Sequence, residues 1–126
     1  MDLSVIEIKP FVPARQLPES IAFYSALGFE VPWQSDDLAY VRLGGTSFML
    51  QKFYVPEHAN NFVMHMLVGN ADDWHRHVID SGVVEKHAVR LDTPEDRPWQ
   101  LRDFTLTDPS GVLWRIGHEI ADQCAG

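Results

Sequence analysis

A concealed repeat narrows the folds open to this chain more than any other feature. Gly28 and Gly82, each placed to stop a helix, lie 54 positions apart (82 − 28), and Leu17 and Ala71, at the starts of those helices, keep the same spacing. In the first copy, "SVIEIKPFVP" is rich in β-branched residues and reads as a strand. "LPESIAFYSALGF" then reads as a helix, with Pro18 in its first turn and Leu17, Ile21 and Tyr24 on one face. "FEVPWQ", "LAYVRLGG" and "SFMLQKFYV" follow as strands, the last two joined by a hairpin at Gly44-Gly45.

The second copy repeats that order. "NFVMHMLV" is a strand, and "NADDWHRHVIDSG" is a helix capped by Asn70, with Asp72 and Asp73 at the positive end of its dipole. "EKHAVRL", "LRDFTLT" and "VLWRIGHE" supply three strands, and "DTPEDRPWQ" is a loop that lengthens this copy. The pattern predicts an α+β fold of two βαβββ modules, residues 4–56 and 61–120, within one domain, 1–126. In such a module the helix covers one face of the sheet and leaves the other bare. Two modules that pair their bare faces make curved sheets around a concave, ligand-sized cleft.

At 126 residues and 45% hydrophobic content, the chain is long enough for a real core. A net charge of -8 argues against nucleic acid or an anionic membrane as partner. The single cysteine, Cys124, cannot form an internal disulfide, and "MDLSVIEIKP" lacks the features of a secretory signal, so a cytoplasmic protein is expected.

Strand alternation names the cleft-facing set. In "DPSGVLWRIG" a tight turn leads into a strand with Val112, Trp114 and Ile116 on one face and Leu113, Arg115 and Gly117 on the other. Trp114 and Trp74 are assigned to helix–sheet interfaces in the core. A fixed cation in the middle of so apolar a strand is the unusual feature.

"ARQLPESIAFYSALGFEV" resembles the first-helix signature of the vicinal oxygen chelate superfamily, which includes glyoxalases, extradiol dioxygenases and bleomycin-resistance proteins; "LTDPSGVLWRI" resembles its last hairpin. "RPWQLRDFTLTDPSG" is similar to the bleomycin-resistance branch, and the likeness covers roughly residues 5 to 118. Metal-using members carry a His on the first strand, a His or equivalent on the fifth and a Glu on the last. On this resemblance those positions are Lys9, Val63 and Arg115, and the fourth strand, "TSFMLQKF", adds no carboxylate. Lys and Arg offer no lone pair at neutral pH and Val has no donor atom, so this set holds no divalent cation and no cofactor is expected. Arg115, approached by Lys9, then takes the place of the ion, or else it pairs with a carboxylate such as Asp103 or Glu119.

The resemblance further implies a homodimer with two interfacial grooves lined by aromatic rings, and a first strand that crosses between subunits, here near Pro10 and Pro13. Trp99 and His65 match groove positions, and Leu38 stands where a ring is usual. Trp33, Tyr40, Phe53 and Phe62 are further ring candidates, and Gln51, His65, Arg115 and Lys9 are polar ones. His65 also reads as a structural histidine. His75 and His77, two apart on a helix, cannot chelate together. The clusters Asp36/Asp37 and Asp92/Glu95/Asp96 either give the groove a negative field or are ordinary turn residues. Ser25, Ser35, Ser47 and Ser81 show no His–carboxylate partnership, and no phosphate loop or dinucleotide fingerprint occurs. The expected function is metal-independent binding of a small molecule, a bleomycin-like antibiotic, by sequestration, with no catalytic residue. The alternative is a superfamily enzyme, a lyase, isomerase, dioxygenase or thiol transferase acting on a small oxygenated substrate.

Overall fold

The computed structural model describes residues 1–120; Cys124 lies outside the described residues. The first module comprises β1 (Phe11–Pro13), α1 (Leu17–Ala26), β2 (Glu30–Gln34), β3 (Leu38–Leu43) and β4 (Thr46–Gln51). A short helix, α2 (Pro56–Asn60), leads to the second: β5 (Val63–Leu67), α3 (Ala71–Ser81), α4 (Val83–His87), β6 (Glu95–Asp96), β7 (Leu101–Thr107) and β8 (Leu113–Glu119). The two four-stranded sheets run β1-β4-β3-β2 and β5-β8-β7-β6, each with its first and last strands parallel. The repeat read from the glycine spacing is therefore a repeat of topology. Among the described residues no helix is long and apolar enough to cross a membrane.

Local chemistry explains the helix limits. The Asn70 side chain accepts the Asp73 amide at 3.0 Å, and Gly82 ends α3 in the left-handed region at φ 79°. Two strands differ from expectation. Of "SVIEIKPFVP" only Phe11–Pro13 pairs, because Pro10 has no amide hydrogen to continue the ladder beyond its own carbonyl, which accepts from Met49. The preceding Leu3, Val5, Ile6 and Ile8 are 73–92% exposed. "EKHAVRL" is not a strand: Gly82 starts a new helical turn with Glu85 near its beginning and Lys86 and His87 at its end, which suits the dipole. Only Leu91 of that stretch bridges to the sheet, and the missing strand, β6, falls in the segment read as a loop.

The modules meet through their helix-covered sides, where Tyr24 of α1 touches both Phe48 and Trp114, so the expected pairing of the bare faces does not occur within one chain. Tyr24, Phe29, Phe48 and Trp114 form a mutual cluster with ring centroids 5.2–6.0 Å apart. Inside it the Trp114 indole N–H donates to the Tyr24 hydroxyl at 2.8 Å, and that hydroxyl donates to Asp108 Oδ2 at 2.6 Å. The other Asp108 oxygen accepts the Ser110 and Val112 amides. Burial pushes the Asp108 carboxyl above its ordinary value and the Tyr24 phenol well above its own. Trp114 is core, as its strand face required; Trp74 is half-buried beside His77, whose Nε2 bonds the Leu27 carbonyl across the seam.

Candidate functional site

This mode of packing leaves both bare sheet faces open, and the candidate residues divide between them. On the first sheet Leu38 sits directly opposite Gln51, and the two line a pocket of about 440 Å³ with Phe53, Asp37 and Lys52. Trp33 pairs with Tyr40 on the same sheet, and Lys9 Nζ lies 5.2 Å from the Tyr40 ring centroid while bonding Glu7 at 2.8 Å. On the second sheet His65 is paired with Arg115, and His65, Leu67, Trp99, Gln100, Leu101, Glu119 and Ile120 line a pocket of about 500 Å³. No contact among the described residues brings Lys9 to Arg115, so the expected approach of these two cations does not occur within one chain. Phe62 belongs to neither pocket; it packs edge-on to His58 and against the core.

Arg115 resolves into a carboxylate-paired residue. Its Nη1 lies 3.5 Å from Asp103 Oδ2, and its guanidinium carbon is 5.9 Å from the Trp99 ring centroid. Asp103 is fully buried and also accepts from Arg97 Nε at 2.8 Å. The contact to Arg115 is long and single, which leaves most of the five guanidinium N–H donors available to the open face. His65 is exposed, as its alternation with half-buried Met64 and Met66 demands.

Sequence reasoning missed three parts of this face. Asp103 was named as a partner for Arg115, but Arg97, six positions before it, was not; the two meet because β6 pairs with β7. Gln100 holds φ 67° at the pocket wall, unusual for a residue other than glycine. His65 and Leu67 also border a narrower cavity of about 270 Å³ walled by Phe29, Phe48 and Trp114, where the Ser47 hydroxyl is buried without a partner. A buried hydroxyl flanked by aromatic residues was legible in "TSFML" only once its neighbours were known.

Gly117 makes the Asp103 anchor possible. A Cβ there would lie 2.7 Å from Asp103 Cβ and 2.9 Å from the Arg102 carbonyl oxygen, in a rigid strand pair. Gly117→Ala is therefore expected to destabilise by about 1–3 kcal/mol. A urea titration checks this, and an unchanged midpoint would show that Asp103 can move freely.

The charges of the acidic loop are taken up locally. Glu95 pairs with Arg97, Asp96 with Arg102, and Asp92 Oδ1 accepts the Thr105 amide. The positions that the resemblance assigns to a metal, Lys9, Val63 and Arg115, carry side chains that cannot ligate a divalent ion as lysinium, isopropyl and guanidinium. His65 would be a lone donor, and no group of three His, Cys, Asp or Glu residues lies together among the described residues. The donor set does not fit the ion that the wider fold family uses.

Comparison with known proteins agrees with this architecture. No curated protein matches the sequence at a significant level. A bleomycin-binding protein solved with bleomycin is 22% identical with a TM-score of 0.78, over 91% of this chain and 99% of that one. The bleomycin-binding protein of bleomycin-producing Streptomyces verticillus, solved with copper(II)-bleomycin, is 19% identical with a TM-score of 0.75, over 96% and 100%. Lactoylglutathione lyase from Agrobacterium tumefaciens is 15% identical with a TM-score of 0.66, over 90% and 94%. At these identities the likeness is one of fold. The Glyoxalase/Bleomycin resistance protein/Dioxygenase superfamily model matches residues 7–116, nearly the whole described chain, and the protein belongs to that superfamily.

Proposed function

We propose that this chain is a cytoplasmic, metal-independent binding protein that sequesters a small planar organic molecule of the bleomycin type. The observation that carries the reading is the division of large exposed aromatics between two open faces. Trp33 and Phe53 stand on the first face and Trp99 on the second, each more than half exposed. Rings on one face alone cover only one side of a flat ligand. A homodimer in which the first face of one copy meets the second face of the other encloses the ligand between them. The exposed apolar segment before Pro10 supports such a dimer, since crossing to the partner would bury Leu3, Val5, Ile6 and Ile8. Trp33, Tyr40, Phe53 and Trp99 then supply stacking, Leu38 apolar area, and Gln51, His65, Lys9 and Arg115 orientation. Phe62 is left to the core.

Titrating bleomycin, with and without copper, against tryptophan fluorescence tests this. The exposed Trp33 and Trp99 are the reporters, and saturable quenching with no change in the ligand's mass is expected. Trp99→Ala should weaken binding about 10- to 100-fold, the usual cost of truncating a central aromatic. Arg115→Met separates the roles of Arg115: reduced affinity marks ligand contact, and unchanged affinity marks a residue that only pairs with Asp103. Turnover that is lost on chelation, together with stoichiometric zinc, nickel, manganese or iron in the purified protein, would replace this reading with the enzyme.

A further inference from the structure

One further cavity lies on neither sheet face. It measures about 620 Å³ and opens at the seam between modules, against Thr107, Leu113 and the turn that joins β7 to β8. The Trp99 pocket touches the opposite ends of the same strands, at Leu101 and Glu119. Seven residues of β8 separate the two, about 20 Å at strand rise. We infer that this cavity is a second small-molecule site, for a ligand that carries an oxyanion, recognised by Arg15 and Arg90.

The chain has ten lysines and arginines. Six of them, Lys9, Arg42, Arg76, Arg97, Arg102 and Arg115, have a carboxylate partner among the described residues. Of the four without one, two are arginines, and both line this cavity. That is unexpected in a chain with 18 acidic residues. Their backbones are pinned to the same turn: the Arg15 amide bonds Ser110 Oγ at 2.9 Å, and the Arg90 amide bonds Thr107 Oγ1 at 2.9 Å. Both side chains therefore start from one rim.

The acids nearby do not serve as their counter-ions. Asp108 is buried, and its oxygens are taken by Tyr24, Ser110 and Val112. Glu19 lies 3.9 Å from His87 Nδ1. His87 itself lines the cavity with its side chain 5% exposed, and its Nε2 is buried without a hydrogen-bond partner. The next residue, Ala88, is held at φ 52°, one of two non-glycine residues with positive φ among those described. The other is Gln100, at the Trp99 pocket. Strain of this kind collects where the surroundings fix a binding wall. Two arginines at one rim and a cavity of small-molecule size match a carboxylate or phosphate borne on a compact body.

Inorganic phosphate and succinate, titrated at constant ionic strength with chloride as control, test the assignment by amide chemical shifts and calorimetry. Saturable shifts are expected at Ala88, Arg90, Ser110 and Gly111. Arg15→Met and Arg90→Met should each weaken binding about tenfold, with melting temperature unchanged because both side chains are exposed. A response to phosphate alone or succinate alone identifies the source of the oxyanion. Binding that is equal in the double variant, shifts centred on Trp99, or no saturation by either anion at about 50 mM would overturn the site.

Discussion

Tyr24→Phe is expected to lower the unfolding free energy by about 2–4 kcal/mol, because one hydroxyl serves two buried partners. Its removal strips the Trp114 indole N–H of its acceptor and the Asp108 carboxylate of its side-chain donor, at 2.8 and 2.6 Å. For a chain this long the loss corresponds to a fall of about 8–15 °C in Tm. Tyr54→Phe is the control: its hydroxyl makes one long contact, 3.4 Å to the Ser110 carbonyl, and its loss should cost under about 1 kcal/mol. The cost of Tyr24→Phe also depends on pH. Burial raises the Asp108 carboxyl, so its contribution to stability is full at low pH and is lost as pH rises through the raised value. Tyr24 opposes that loss by donating to the ionised form. The gap between the two proteins should therefore be wider near about pH 7 than near about pH 4. Equal unfolding midpoints in urea at both pH values would show that the seam does not depend on this network.

Deleting residues 2–8 is expected to convert a dimer into a monomer and to abolish most ligand affinity while leaving each module folded. Leu3, Val5, Ile6 and Ile8 are 80, 73, 92 and 87% exposed, and nothing in the described chain covers them. Covering such side chains contributes roughly 1.5–3 kcal/mol each, so two exchanged segments would outweigh most other contacts between copies. Sedimentation velocity reads the assembly, and the bleomycin titration reads the site. A truncated chain that stays dimeric, or a full-length chain that binds at full strength as a monomer, would remove the shared-site proposal.

Much of the architecture was legible because its signals are local. Helix caps such as Asn70 and Gly82 act over three or four residues, and the hairpin at Gly44-Gly45 over two. Alternation along β5 placed His65 on the open face, and alternation along β8 placed Trp114 in the core and Arg115 opposite it. The failures came where a local pattern suited two structures. "EKHAVRL" has the period of a strand, yet Gly82 and Ala88, both left-handed, close a helical turn around its first residues. "SVIEIKPFVP" has a strand's composition, and Pro10 confines pairing to the three residues that follow it.

The candidate site was read less completely for the same reason. Type and face could be assigned to Trp99, His65 and Arg115 one residue at a time. Their partners, Asp103 under Gly117 and Arg97 beyond it, depend on which strands lie side by side. The sequence by itself determined the 54-residue repeat, the two helices with their caps, and which side chains share a sheet face, since these follow from propensity and period along the chain. Only the tertiary structure decided that the modules join through Tyr24, Trp114 and Asp108, that Arg115 leans on a buried carboxylate, and that Arg15 and Arg90 share one rim. Those outcomes depend on shape and charge meeting across 12 positions for Arg115 and Asp103 and across 75 to 90 for the others, and no neighbouring residue carries that information.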